Sequence, residues 1–97
     1  MTYTFDIDYE LIEYGDIDVV EYYVVAIDEA TGRVLRHQIG FRSHDLFIDP
    51  QTDEEHIVER RAGDAEREAR LLLSRVRQRG AISPSWWYEL VPAGVDA

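Results

Sequence analysis

Cysteine is absent from the 97 residues, which removes disulfides, thiol catalysis and cysteine metal sites and fits a reducing cytoplasm. Lysine is absent as well; all ten basic residues are Arg, a bias that reads as coding preference and not as chemistry. No apolar run approaches the ~18 residues of a membrane-spanning helix, so no membrane role is expected. The chain begins with alternating Tyr, Phe and Asp where a signal peptide would carry a basic region and an apolar stretch. A cytoplasmic location follows as the expectation. With three Pro, six Gly and no repeat or low-complexity tract, nothing divides the chain. One acidic domain over residues 1–92 is expected, with a frayed tail at 93–97.

Positive charge is scarce. Twenty acids stand against ten bases, for a formal net charge of −10. A nucleic-acid binder neutralises phosphates with Lys and Arg, so this balance argues against direct nucleic-acid binding. The 45% apolar share is ordinary for a folded chain and argues against disorder. The excess charge lies at one end, because residues 1–32 hold nine acids and no base. A second acidic stretch runs through Asp45, Asp49, Asp53, Glu54, Glu55 and Glu59, and from Glu66 to Arg79 the balance turns basic. Such asymmetry speaks of association and solubility, not of fold.

Residues 3–11 alternate strictly, with Tyr3, Phe5, Ile7, Tyr9 and Leu11 on one parity and Thr4, Asp6, Asp8 and Glu10 on the other. A period of two is a half-buried strand. Glu13 to Asp16 reads as a turn. A second strand spans 17–28, where both parities are apolar, as in a central strand covered on both faces. Glu29 to Gly32 is a hairpin loop, and a third strand over 33–42 turns Leu35, His37, Ile39 and Phe41 inward and Arg36, Gln38 and Arg42 outward. Leu46 to Pro50 reads as a short apolar link. Thr52-Asp53-Glu54-Glu55 has the form of a capping box, followed by an apolar stripe at Val58, Ala62, Ala65, Ala69, Leu72 and Val76. The spacing predicts a long helix over 53–79, ended by Gly80, with a break possible at Gly63. If Asp64 is instead the cap, the helix starts there and His56–Glu59 form a loop or short strand. Trp86 to Val91 is a strand by propensity. The expected order is β-β-β-α-β, an α+β domain with a mostly antiparallel sheet and one long helix on one face.

Chemistry-bearing residues are few. There is no Gly-rich phosphate loop and no nucleophile elbow, and among so many acids paired carboxylates arise by chance. No enzyme activity and no cofactor are expected. His44, Asp45, Asp49 and His56 match no standard ligand spacing, so no metal site is expected, and His37 on the apolar parity reads as a core or boundary histidine.

Two features remain. Asp6, Asp8 and Glu10 form a comb of carboxylates spaced by roughly 6–7 Å on one strand face, comparable to a line of phosphates. The bland counterpart is a solvated edge strand whose charge discourages aggregation. Acids continue through Glu13, Asp16, Asp18 and Glu21 without a base, and the arginines of the third strand lie two strands away, roughly 9–10 Å at sheet spacing, which predicts no direct pairing across the second. Adjacent Trp86 and Trp87 face opposite sides of a strand, so one enters the core and the other needs another cover, as an interface anchor would.

The resulting expectation is a small binding protein that sets Asp6, Asp8, Glu10, Glu13, Asp16, Asp18 and Glu21, with Trp86 and Trp87 as anchors, on a basic surface of a nucleic-acid-handling protein and inhibits it. Anti-restriction and anti-CRISPR proteins of phages and immunity proteins against nuclease toxins act in this way as classes, a comparison that rests on size and charge alone. The alternative is a self-associating accessory domain, a homodimer covering the second face of strand two, whose acidity serves solubility.

Overall fold

The computed structural model describes residues 3–80 and 85–90. The expected tail at 93–97 and the end of the expected last strand fall outside them. Alternation in the first segment gives β1 (Tyr3–Tyr14), paired antiparallel along its whole length with β2 (Ile17–Asp28). The turn between them uses Gly15 at φ 64°, a left-handed conformation that glycine adopts without a Cβ clash. Strand β3 (Val34–Arg42) lies on the far side of β2, and β6 (Trp87–Glu89) adds to β3. The main sheet is therefore antiparallel in the order β1-β2-β3-β6, with β1 at one edge.

Helix α1 (Asp64–Arg79) lies across the face that carries Phe5, Val24, Ala26 and Leu35. Its buried residues are Ala65, Ala69, Leu73 and Val76. The two alanines hold the first half of the helix close to the sheet, and Leu73 and Val76 join Phe5, Val24 and Ala26 in the central cluster. Burial of each large apolar side chain there contributes about 1.5–3 kcal/mol. Gly80 closes the helix in the left-handed conformation, its N–H donating to the Val76 carbonyl. Arg77 is drawn back toward the sheet, donating to the Phe5 carbonyl at 3.0 Å.

Between β3 and α1 the structure corrects the expected order. The helix does not start at 53. It begins at Asp64 behind Gly63, and the preceding residues form a separate two-stranded hairpin of β4 (His44–Ile48) and β5 (Glu55–Glu59). The observed order is thus β-β-β-β-β-α-β. Thr52 does accept a backbone N–H, that of Glu54 at 3.3 Å, but in the turn of this hairpin and not at a helix start. Val58 fell at helical spacing from Ala62 by coincidence. It pairs with Asp45 across the hairpin and is half-exposed.

Candidate functional site

In β1 the even residues face away from the helix. Asp6, Asp8 and Glu10 lie on this open face, opposite Val25, Tyr23 and Glu21 of β2. The parity then separates the acids. Glu13 and Asp18 are direct cross-strand partners on the helix side of the sheet, and Asp16 sits in the turn. What reads along the sequence as one continuous acidic run is divided between two faces and a hairpin tip.

The comb itself has a local task. Asp6 Oδ1 accepts the N–H of Ile7 and Asp8 Oδ1 that of Tyr9, both at 2.8 Å. Because β1 is an edge strand, alternate N–H groups point outward, and these carboxylates close two of them against pairing with another chain. Asp6 and Asp8 are nevertheless exposed and bond no cation among the described residues.

Glu10 and Glu21 face each other, a like-charge pair that would repel. Arg36 lies between them. Its guanidinium bonds Glu21 and, at 3.1 Å, Glu10, and it stacks over the Tyr23 ring at 3.9 Å from the centroid. Arg42 donates through Nε to the other Glu21 oxygen at 2.8 Å. The expectation that no arginine of the third strand could pair across the second is therefore wrong. Backbone spacing is about 9–10 Å, but an extended Arg stem lies along the intervening ring and spans it. Glu21 and Arg36 side chains are only 10% and 12% exposed, so the Glu21 carboxylate is turned into the fold. Burial pushes the Glu21 pKa up, but the hydrogen bonds from Arg42 and Arg36 outweigh this and hold it below the ordinary carboxylate value. Gly40 completes the arrangement. A Cβ there would stand 2.9 Å from Glu21 Cδ, so a larger residue would push the carboxylate from its place against Arg36 and Arg42. This isolated glycine inside a strand was the sequence signal for a close approach at this point.

The same stacking accounts for the second strand. Tyr23 and Val25 are 7% and 5% exposed on the face that carries no helix, so a single chain already buries them. A second copy is not required to cover that face.

Beyond the helix the β1–β2 hairpin changes character. Tyr9 and Leu11 are 60% and 65% exposed, and Tyr14 and Ile17 are partly so. Around them Glu13, Asp16 and Asp18 are exposed and bond no cation among the described residues. Between this end and the β4–β5 hairpin runs a cleft of about 250 Å³ with Ile12, Val19, Leu46 and Ile57 in its walls. Its two arginines, Arg42 and Arg60, already bond Glu21 and Glu68.

The two tryptophans do not part to opposite faces as expected, because Trp86 precedes β6 and both rings pack on His37 at one groove beside α1. Trp87 faces the helix side, with its ring 5.9 Å from Phe5 and edge-on to His37 at 5.0 Å. Trp86 is 49% exposed and stacks on His37 from outside at 6.0 Å. His37 is buried, and burial lowers its pKa. Its Nδ1 accepts the N–H of Ile39 at 3.1 Å, at the bulge where Val24 alone spans the stretch between Arg36 and Gly40. Protonation would abolish that acceptor. Because the folded-state pKa is depressed, the unfolded chain binds the proton first, and stability falls as pH drops below about 6.5 until the folded value is passed. Urea midpoints at pH 7.5 and 5.5 should differ for the wild type and converge for His37→Gln. Equal pH sensitivity in both would contradict this role.

Among the described residues no group of three or more metal-ligating side chains converges. His44 is bonded to the Ser43 hydroxyl at 2.8 Å, and His56 packs beside Phe47. No described helix is long and apolar enough to cross a membrane. No family model, curated protein or solved structure matches the chain.

Proposed function

We propose that the protein is a non-enzymatic binding protein that lays the far half of its β1–β2 hairpin on a basic surface of a partner. A nucleic-acid-handling protein, whose phosphate site is such a surface, is the partner class that fits, and occupancy of that site inhibits it. One observation carries the reading. Three exposed carboxylates at that end, those of Glu13, Asp16 and Asp18, lack a bonded cation among the described residues and lie beside exposed Tyr9, Leu11, Tyr14 and Ile17, while Asp6 and Asp8, likewise without a cation, stand on the face away from Tyr9 and Leu11. The charges steer a basic partner inward, and the apolar side chains supply the contact that slows its departure. Glu10 and Glu21 contribute to the fold instead, through Arg36.

The test starts from a basic protein captured from the source cells and released by salt. Its affinity is then measured against Glu13→Gln/Asp16→Asn/Asp18→Asn and against Glu54→Gln/Glu55→Gln as a control for bulk charge. The hairpin variant should bind at least tenfold more weakly, with the control within twofold of wild type. Equal losses would reduce the effect to net charge, and unchanged, salt-insensitive affinity would overturn the proposal.

A further inference from the structure

Charge is compensated unevenly over this surface. Arg33, Arg36, Arg42, Arg60, Arg67 and Arg70 each bond a carboxylate. Arg75 and Arg79, in the last turns of α1, bond none among the described residues. They stand at a groove of about 310 Å³ whose other walls include His37, Ile39, Leu72, Trp86 and Trp87. Ile39 and Trp86 are 41% and 49% exposed there. In an acidic protein this is a cationic, aromatic groove with vacant charge.

The complementary surface belongs to the same chain. Among the described residues strands β4 and β5 pair only with each other, and a two-stranded hairpin is marginal in water without further cover. Phe47 and Val58, each 54% exposed, lie on one face of it, since Phe47 opposes His56 and Val58 opposes Asp45. Its turn carries Asp53 and Glu54, to which no arginine is bonded among the described residues. The hairpin is thus apolar and acidic where the groove is apolar and basic.

The hairpin does not face its own groove: its Leu46 and Ile57 wall a cleft with Ile12 and Val19 on the sheet face away from α1, whereas the groove lies on the helix side beside Arg75 and Arg79. We propose that the β4–β5 hairpin of one copy docks in the Trp86–Arg75–Arg79 groove of a second copy, with Phe47 entering the groove and the turn acids Asp53 and Glu54 meeting the two arginines. Two copies laid side by side in opposite directions make the contact twice and close as a dimer. This contact is separate from the acidic β1–β2 surface, and neither depends on the other.

A charge swap tests it. Sedimentation velocity at 150 mM salt is run on the wild type from 5 to 500 µM, on Arg75→Glu/Arg79→Glu, on Asp53→Arg/Glu54→Arg, and on their equimolar mixture. The wild type should form dimers, and each variant alone should need at least tenfold higher concentration to do so. The mixture should return to wild-type behaviour, because one contact is then native and the other reversed in sign. Copies of the hairpin variant repel one another less than the two members of the mixture do, so a mixture that associates better than the hairpin variant alone cannot owe this to bulk repulsion. Phe47→Ser, which changes no charge, should weaken association equally and covers the case in which a charge variant fails to fold. A wild type that stays monomeric at 500 µM, variants that associate like wild type, or a mixture that stays monomeric would each overturn the proposal.

Discussion

Replacing Glu21 with Ala is expected to destabilise the fold by about 3 kcal/mol, the cost of leaving a buried charge without its partner. Arg36 would keep only Glu10, at the exposed end of the network, while its guanidinium stays confined above Tyr23. The network has no slack to absorb the change, since Arg36 Nε already lacks a hydrogen-bond partner. The double variant Glu21→Leu/Arg36→Met should recover most of the loss, because removing both charges also removes both desolvation penalties. A double-mutant cycle from urea unfolding separates the two cases. Additive losses would mean the pair is not coupled. The pH profile gives a second check. A carboxylate with a lowered folded-state pKa stabilises the protein above its unfolded value, about 4.3. That contribution is lost as pH falls through the folded value. Wild type should therefore lose stability in this acid range faster than Glu21→Gln.

Much of the main sheet could be read from the sequence because its signals are local. Alternation in residues 3–11, the apolar second strand and the turns at Gly15 and Gly32 each act over a few residues, and the first two strands appear where those signals put them. The β4–β5 hairpin was legible only through the alternative in which the helix starts at Asp64 and His56–Glu59 form a short strand, because its evidence is ambiguous at short range. Thr and Asp satisfy backbone N–H groups in a turn as well as at a helix start, so Thr52-Asp53-Glu54-Glu55 resembles a cap while forming a turn with Asp53 at φ 56°. The acidic surface shows the same division. Which residues are acidic is written in the chain. Which of them remain uncompensated depends on the parity that divides Glu10 from Glu13, and on Arg36 lying along Tyr23 to reach across a strand. Spacing between backbones could not show that reach, since it is a property of one long side chain and the ring beneath it.

The adjacent tryptophans give the second large effect. Trp87→Ala is expected to cost about 3 kcal/mol, at the low end for a core aromatic because the ring is half-buried. Its removal uncovers Phe5 and one side of His37 together, and it takes the main apolar anchor from a strand of only three residues. Trp86→Ala should cost about 1 kcal/mol or less, since that ring is 49% exposed and contributes a stacked contact on His37. The pH dependence distinguishes the two changes further. With Trp87 gone, water reaches His37, burial no longer holds its pKa down, and the loss of stability between pH 7.5 and 5.5 should shrink. With Trp86 gone, Trp87 still covers the ring edge and most of that loss should persist. Chemical unfolding of both variants at the two pH values measures all four outcomes. Equal destabilisation by the two substitutions would mean that Trp86 is as much a part of the core as Trp87, and that the groove beside Arg75 and Arg79 is not free to receive a second copy.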